Sequence, residues 1–198
     1  MINEMYLSER KIKSLNNNFG SSAPFNYLEL KDFFDDSFIE RFIIKLKKEG
    51  FVHQDSDLFS FYQSNDLIKS KNRIIKQFYD FLNSKYFKDY LFKITNIKSY
   101  GKIDCSGFIY SDSDYLLPHD DRLEKRKIAF VFNLSKDFKK CDGGSLDFFK
   151  KNKIVKSIIP YFNTLVIFKV VAGKTFHQVS EIRCNKNRIS IAGWFNDK

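Results

Sequence analysis

The sequence contains little cysteine, proline or glycine, and it has no long apolar run. Three cysteines, three prolines and eight glycines occur in 198 residues. Cys105, Cys141 and Cys184 are far apart and odd in number, which argues against a disulfide framework or a thiolate zinc site. No uninterrupted apolar stretch approaches the ~18 residues of a membrane-spanning helix, and the polar N-terminus has no secretory signal. We therefore expect free thiols, a cytoplasmic location and no membrane partner.

The composition predicts one folded domain with an excess of positive charge. Hydrophobic residues make up 43% and aromatic residues 17% of the chain, which is enough to fill a core at this length. Lysine and arginine total 34 against 24 aspartate and glutamate, a net charge of +10. The basic residues are scattered, and the joint abundance of Phe, Lys, Asn and Ile is typical of an AT-rich coding sequence. We therefore expect no direct nucleic-acid binding, and nothing in the sequence indicates the oligomeric state.

Helical patterns dominate the N-terminal half of the chain. Residues 1–24 are polar and are predicted to form a loose segment, and residues 25–96 are predicted to be mainly helical. Asp35 or Asp36 can cap a helix that Gly50 ends. A second helical stretch is predicted over residues 66–86. The apolar face of the first helix is formed by Phe38, Phe42, Ile43 and Leu46.

The pattern changes to short strands after about residue 97. Apolar runs separated by turn-like clusters indicate seven or eight strands, which favours a sandwich or barrel. We therefore predict a single α+β domain over residues 1–198, with helices packed on one face of a β-barrel formed by residues 97–196. The expected strands cover 108–110, 128–134, 145–149, 155–159, 164–170, 176–182 and 188–195.

Two of the three histidines form a candidate metal site in the β half. His119 is followed two residues later by Asp121, and residues i and i+2 of a strand point to the same side. His177 lies far downstream and is expected on a neighbouring strand. Two imidazoles and one carboxylate leave three coordination positions open, the arrangement that suits non-haem Fe(II). His53 has no such partners and is expected to be a surface or packing residue, while Asp120 is expected to point away from the metal.

Arg188 is a candidate anchor for a small dicarboxylate. Strand alternation places Arg188 and Ser190 on the face opposite Ile189 and Ile191. If the isoleucines pack against helices, the arginine faces the barrel interior, where a buried guanidinium needs an anionic partner. A carboxylate matches its planar fork best. An exposed arginine at a strand end is the alternative.

Five segments together resemble the Fe(II)/2-oxoglutarate oxygenases of the ribosomal prolyl hydroxylase family. Their order and spacing are those of the family, and the resemblance is strong over residues 97–195 and loose over the N-terminal half. The segments are YSDSDYLLPHDDRLEKRKIAF (110–130), GGSLDFF (143–149), VKSIIPYFNTLVIF (155–168), FHQVSEI (176–182) and RISIAGWF (188–195).

The resemblance implies a fold, a reaction and the residues that perform it. The fold is a double-stranded β-helix, also called a jelly-roll or cupin-like barrel, and the required small molecules are Fe(II), 2-oxoglutarate and dioxygen, with ascorbate in a supporting role. His119, Asp121 and His177 are expected to bind iron. Arg188 would pair with the distal carboxylate of 2-oxoglutarate and counts with these three as catalytic. The expected cosubstrate contacts are Arg188, Tyr110, Ser190 and Asn133.

Two positions depart from the family pattern, and one segment matches it closely. Asn133 stands where the family usually has tyrosine, and Arg122 stands where an acidic residue is usual. Gly143 and Gly144 match the turn before a strand over the site, where glycine reaches conformations that other residues avoid. The larger members also carry a second, non-catalytic barrel, which residues 1–198 do not include.

The expected activity is hydroxylation of a prolyl residue in a protein, with a ribosomal protein or translation factor as the leading substrate. Residues 51–65 and the loop at 111–115 are expected to form the rim of a peptide groove. One alternative is a hydroxylase of the same chemistry that acts on a small molecule or a cell-surface precursor. The other is a barrel that binds metal or ligand without turnover.

Overall fold

Four α-helices and an antiparallel sheet make up the chain, as seen in a computed structural model that describes residues 1–123 and 125–198. The helices are α1 Glu9–Ser21, α2 Asp36–Leu46, α3 Arg73–Asn83 and α4 Lys85–Thr95. The strands are β1 Tyr27–Leu30, β2 Phe51–Ser56, β3 Phe59–Asp66, β4 Ile103–Tyr110, β5 Tyr115–His119, β6 Arg126–Asn133, β7 Leu146–Lys150, β8 Lys153–Ile158, β9 Thr164–Lys169, β10 His177–Val179 and β11 Arg188–Asn196. No helix within the described ranges is long and apolar enough to cross a membrane.

The predicted helix after Asp35 is confirmed as α2. The Asp35 carboxylate accepts a hydrogen bond from the Phe38 backbone N–H at 2.9 Å, which satisfies a donor that the first helical turn leaves free. Phe38, Phe42 and Leu46 are buried, as the 3.6-residue spacing predicts. The helix therefore contributes one apolar stripe to the core.

The expectation of a loose N-terminal segment is wrong, because this region contains α1. Ser8 caps the helix by accepting a hydrogen bond from the Lys11 N–H, and Leu15 and Phe19 are buried. Only Leu15 and Phe19 of the helix are fully buried, with Ile12 partly buried against the core, so the apolar pattern was too sparse to indicate a helix. The amide of Asn16 donates to the Lys93 carbonyl, which attaches α1 to α4.

The half that was predicted to be mainly helical contains α2, α3 and α4, and it also contains three strands that the sequence analysis did not predict. β2 pairs over its whole length with β3 as a hairpin, from Phe51 opposite Ser64 to Ser56 opposite Phe59. β1 pairs with β9 of the C-terminal half. Strand pairing across the two halves was not visible in the local periodicity, because such hydrogen bonds depend on distant partners.

The strands form one sheet that rolls up until its two ends meet. The order is β1-β9-β6-β11-β4-β3-β5-β10-β7-β8, with β2 added beside β3. Tyr27 of β1 packs edge-on against Phe148 of β7 at 5.2 Å between ring centroids. Lys156 of β8 lies 4.0 Å from Glu29 of β1. This curled antiparallel sheet with its helices confirms the predicted α+β, double-stranded β-helix class.

The helices cover the outer face of the sheet and leave the inner face to line a cavity. Ile189 and Ile191 of β11 are buried in the same apolar cluster as the helical residues Phe42 and Phe78. Because side chains alternate along a strand, Arg188 and Ser190, which alternate with the isoleucines, point into the roll. Arg188 is buried there, and its interpretation as an exposed strand-end residue is wrong.

Candidate metal and cosubstrate site

Three side chains converge inside the rolled sheet as a candidate metal centre. His119 ends β5 and His177 begins β10, and the two residues are directly opposite each other in that strand pair. Asp121 follows β5, with one carboxylate oxygen 4.0 Å from His119 Nε2 and the other 3.6 Å from His177 Nε2. One ligand atom from each residue lies within 4.8 Å of the others. The predicted cluster is thus assembled, because strand pairing joins histidines that are distant in sequence.

The second nitrogen of each imidazole fixes which atom faces the metal. His119 Nδ1 lies 2.9 Å from the Leu117 carbonyl oxygen, and His177 Nδ1 lies 3.0 Å from the Thr175 carbonyl oxygen. Since a carbonyl oxygen can only accept, each Nδ1 carries the proton, and each Nε2 is left to point at the cluster. The backbone therefore orients both rings before a metal binds.

Asp120 points away from the cluster, as the sequence predicted, and it supports the loop before His177. Its carboxylate accepts hydrogen bonds from Arg122 Nε and from the Gly173 backbone N–H, both at 2.6 Å. Arg122, which stands where the family usually has an acidic residue, is largely exposed. The pair ties the segment that carries Asp121 to the turn that precedes β10.

Burial holds His177 in its neutral form. Desolvation, followed by the nearby His119, lowers the pKa of His177 to about 4. A neutral imidazole is the form that binds a metal ion, so this ligand is available throughout the physiological pH range.

The metal-free protein is expected to lose stability as the pH falls from about 6.5 to about 4. Over that interval the unfolded chain takes up a proton at His177 that the folded chain does not, so the free energy of unfolding falls by up to ~1.4 kcal/mol per pH unit. Urea unfolding of the metal-free protein at several pH values measures this slope. In His177→Gln the slope should flatten between about pH 6.5 and about pH 5, and an equal slope in both proteins would contradict the assignment.

A cavity of about 260 Å³ adjoins the cluster, and its wall is mostly apolar. Leu146 and Phe168 belong to this wall, and Arg188 and Ser190 of β11 add polar groups. The side chains from the N-terminal hairpin that line it are Phe59, Phe61 and Gln63 of β3. Sequence reasoning placed the hairpin segment only at a rim, whereas β3 forms part of the cavity itself.

Arg188 is fully buried in this cavity without a carboxylate partner among the described residues. Its guanidinium donates to Ser190 Oγ at 3.0 Å and to Asn133 Oδ1 at 3.3 Å, while Nε has no partner in the described part of the chain. A buried guanidinium is costly unless an anion neutralises it. The free Nε and the missing counter-charge therefore fit the carboxylate of a bound ligand.

Tyr110 and Gly144 complete the surroundings of Arg188. The guanidinium carbon lies 5.1 Å from the centre of the Tyr110 ring, and burial raises the pKa of Tyr110 to about 12, so its hydroxyl stays protonated. Gly144 has φ +69°, and a Cβ there would lie 2.6 Å from Ile182 Cδ1 and 3.0 Å from Arg188 Cδ. The predicted need for glycine in this turn has two causes, the left-handed backbone and the close approach of the Ile182 and Arg188 side chains.

These observations define a class of protein. A rolled antiparallel sheet holds two histidines, one carboxylate and a buried arginine around one cavity, and the described residues give the arginine no carboxylate partner. Two imidazoles and a carboxylate are the donor set of mononuclear non-haem iron sites with open positions. The arginine supplies a positively charged hydrogen-bond donor for the far carboxylate of a dicarboxylate cosubstrate that chelates the metal. The described residues thus fit Fe(II) together with 2-oxoglutarate.

Comparison with known proteins gives the family. Residues 105–196 match the 2OG-Fe(II) oxygenase superfamily, and this range contains all three metal-cluster residues and Arg188. The chain is 38% identical over 190 residues to the prolyl 3-hydroxylase OGFOD1 of Xenopus laevis, a match covering 90% of this chain and 37% of that protein. It is 31% identical over 209 residues to the prolyl 3,4-dihydroxylase OGFOD1 of Ostreococcus tauri, covering 94% and 41%. The chain belongs to the 2OG-Fe(II) oxygenase superfamily.

Solved structures confirm the fold. A prolyl-4-hydroxylase from Pseudomonas putida superposes with a TM-score of 0.77 at 16% identity, covering 93% of this chain and 99% of that one. A prolyl hydroxylase from Trichoplax adhaerens, solved with a hypoxia-inducible-factor peptide, gives 0.72 at 15% identity, covering 95% and 91%. The chain spans between 30% and 41% of the length of the curated relatives it matches.

Sequence reasoning missed one charged residue beside the metal cluster. Arg126, the first residue of β6, has Nη1 3.6 Å from Asp121 Oδ1. Its guanidinium carbon lies 3.3 Å from the centre of the Trp194 ring. Several basic residues surround Arg126 in sequence, so no local signal distinguished it.

Proposed function

We propose that this chain is a peptidyl-proline hydroxylase that uses Fe(II) and 2-oxoglutarate. The observation that carries the proposal is the combination of the His119–Asp121–His177 cluster with a buried Arg188 that has no carboxylate partner among the described residues. In addition, several relatives that cover most of this chain are prolyl hydroxylases by name. When bound, Fe(II) and 2-oxoglutarate supply the activation of dioxygen that inserts an oxygen atom into a C–H bond.

The chain's own residues are assigned separate tasks in this proposal. His119, Asp121 and His177 hold the metal on one side of the cavity and leave its other positions open. Arg188 binds the distal carboxylate of the cosubstrate, with Tyr110 beside the same carboxylate. Ser190 and Asn133 accept hydrogen bonds from the two terminal guanidinium nitrogens and so hold the fork in place. Asn133 acts through the arginine, because its amide oxygen already accepts from Arg188.

The apolar wall has a different task, the exclusion of water. Phe168 contacts the His177 ring at 4.7 Å between centroids, and Phe61 packs against Tyr110 at 5.4 Å. Such a wall protects reactive species at a metal from side reactions. It also leaves an apolar space in which a prolyl ring can be desolvated.

We assign the peptide groove to the β2–β3 hairpin and the loop at 111–115. Ser60 Oγ of the hairpin donates to Asp114 Oδ1 at 2.6 Å, and the Ser111 N–H donates to the other Asp114 oxygen, so hairpin and loop form one wall. Val52 and Leu58 of the hairpin are more than 60% exposed, so both apolar side chains are accessible to a bound peptide. A proline-containing loop of a ribosomal protein or translation factor is the substrate that the family resemblance favours.

The domain and compartment assignments follow from the same proposal. Residues 1–198 act as one oxygenase domain, because β1 and β3 of the N-terminal half pair with strands that carry the site. All three cysteines are free, which suits a reducing compartment such as the cytoplasm.

Oxidation of a peptide should depend on its proline. Purified protein with Fe(II), 2-oxoglutarate and ascorbate is incubated with proline-containing peptides from ribosomal proteins, and succinate and peptide mass are measured together. We expect succinate in proportion to a peptide that gains the mass of one oxygen atom, and no gain in the same peptide with proline replaced by alanine.

Two outcomes would contradict this assignment in different ways. Succinate formed only with small molecules would favour the small-molecule hydroxylase. Metal and 2-oxoglutarate binding without succinate from any peptide or small molecule would favour a barrel that binds ligand without turnover.

A further inference from the structure

Arg126 lies between the metal cluster and the wall of the cavity. Its Nη1 is 3.6 Å from Asp121 Oδ1, and its guanidinium carbon is 3.3 Å from the centre of the Trp194 ring. Trp194 belongs to β11 and lines the cavity that adjoins the cluster. One side chain thus contacts a metal-binding carboxylate and a cavity wall at the same time.

The Asp121 carboxylate needs a cationic partner of this kind. Its side chain is 4% exposed, so burial penalises the charged form unless an opposite charge is near. Among the described residues, Arg126 is the only lysine or arginine with a nitrogen within 4.0 Å of Asp121. A carboxylate that gives one oxygen to a metal keeps the other for a donor, and such outer partners orient the ligand and tune its affinity.

The Trp194 ring holds the guanidinium in place. A flexible arginine on its own loses rotamer freedom when it must keep one position, and stacking on an aromatic face limits that loss and adds a cation–π attraction. The Arg126 side chain is only 20% exposed, so water screens its pairing with Asp121 less than it would at the surface. The stack also gives Arg126 a role that lysine cannot fill, because lysine has no planar face.

We infer that Arg126 is a positioning residue of the metal centre: clamped on Trp194, it holds the Asp121 carboxylate in the orientation that presents an oxygen to the metal. The inference rests on the proposed function, since it takes the cluster as a metal site. It also joins the cavity wall to the metal ligand through a single side chain, so disturbance of Trp194 is transmitted to Asp121.

The test compares Mn(II) affinity in three variants and the unaltered chain, read from the electron paramagnetic resonance signal of free Mn(II). Arg126→Met removes the charge and keeps the length of the side chain, and Arg126→Lys keeps the charge without the stack. We expect a 10- to 100-fold weaker affinity in Arg126→Met, the range found for lost outer partners of metal ligands, and a smaller loss in Arg126→Lys. Lys127→Met is the matched control, because Lys127 pairs with Asp197 instead, and it should bind as the unaltered chain does.

A second readout separates positioning from general support of the fold. Trp194 is the only tryptophan, so its emission reports the stack directly. We expect both Arg126 variants to shift this emission in the metal-free protein, and Lys127→Met to leave it unchanged. A merely structural role would lower the unfolding midpoint of the variants without changing Mn(II) affinity, and that result would overturn the inference.

The failure of the inference and the failure of the proposed function are distinguishable. If the unaltered chain binds Mn(II) and a folded Arg126→Met binds it equally well, only the role of Arg126 is wrong. If the unaltered chain does not bind Mn(II), the metal site itself is wrong. Should Arg126→Met fail to fold, an unchanged affinity in Arg126→Lys would still overturn the inference, because the stacked guanidinium is then dispensable.

Discussion

His119→Ala is expected to abolish turnover and the binding of 2-oxoglutarate to the metal. The substitution removes one of three protein ligands, and the two that remain cannot hold the ion in the same geometry. In the unaltered chain, Fe(II) and 2-oxoglutarate added without oxygen should give the visible charge-transfer band of a chelated complex. Anaerobic absorption spectroscopy should show no band in His119→Ala.

The control for this experiment is His53→Ala. His53 is exposed on β2 and lies outside the described metal cluster, so the band should keep its position and intensity. A full band in His119→Ala would remove this histidine from the metal site. Absence of the band in the unaltered, folded chain with bound iron would mean that the cavity does not accept 2-oxoglutarate as proposed.

Arg188→Met is expected to weaken 2-oxoglutarate binding by about 10²- to 10³-fold while leaving the metal site intact. Truncating one partner of a buried charge pair costs ~2–5 kcal/mol, which corresponds to roughly 30- to 5,000-fold, and the expected effect lies within this range. Titration of 2-oxoglutarate into the Fe(II) protein, followed by the same band, gives the affinity. An unchanged affinity would exclude Arg188 from carboxylate binding.

The same substitution should leave the metal-free protein equally stable or make it more stable. In the ligand-free cavity the guanidinium is buried beside Ser190 and Asn133 without a counter-charge from the described residues, so a neutral side chain of similar size removes an unfavourable burial. A variant that binds 2-oxoglutarate more weakly but is no less stable would show that Arg188 contributes to cosubstrate binding and not to the stability of the fold. Arg73→Met, at an exposed position on α3, is the matched control and should change neither quantity.

Much of the site was predictable from the sequence because strand geometry is regular. The two-residue spacing predicted that the His119 and Asp121 side chains reach the same site, and both belong to the metal cluster. The alternation along β11 predicted that Arg188 points away from the helices, and Ile189 and Ile191 are the residues that pack against them. The cap at Asp35 was predictable for the same reason, since it depends on neighbours within one turn. Local rules with a known period therefore carried the successful predictions.

The remaining features depend on contacts between distant segments. The apolar pattern of residues 27–30 does not distinguish a strand from part of a helix. This segment forms β1 because Tyr27 to Leu30 pair with β9. Phe59 and Phe61 line the cavity only because the hairpin docks on β4 and β5. Arg126 contacts Trp194 across the β6–β11 pair, and the residue spacing within either strand does not predict this contact.

The pairing of His119 with His177 across β5 and β10 has a consequence for the stability of the whole chain. The two residues are 58 positions apart, and the intervening segment contains four strands, β6 to β9. A metal ion bound by both closes that segment into a loop and cross-links two strands that otherwise share only a short ladder. Because such an ion binds the folded chain alone, the free energy of unfolding rises by ~1.4 kcal/mol for each tenfold increase in free metal above the dissociation constant. The lifetime of the folded chain in a cell is thereby linked to the supply of iron.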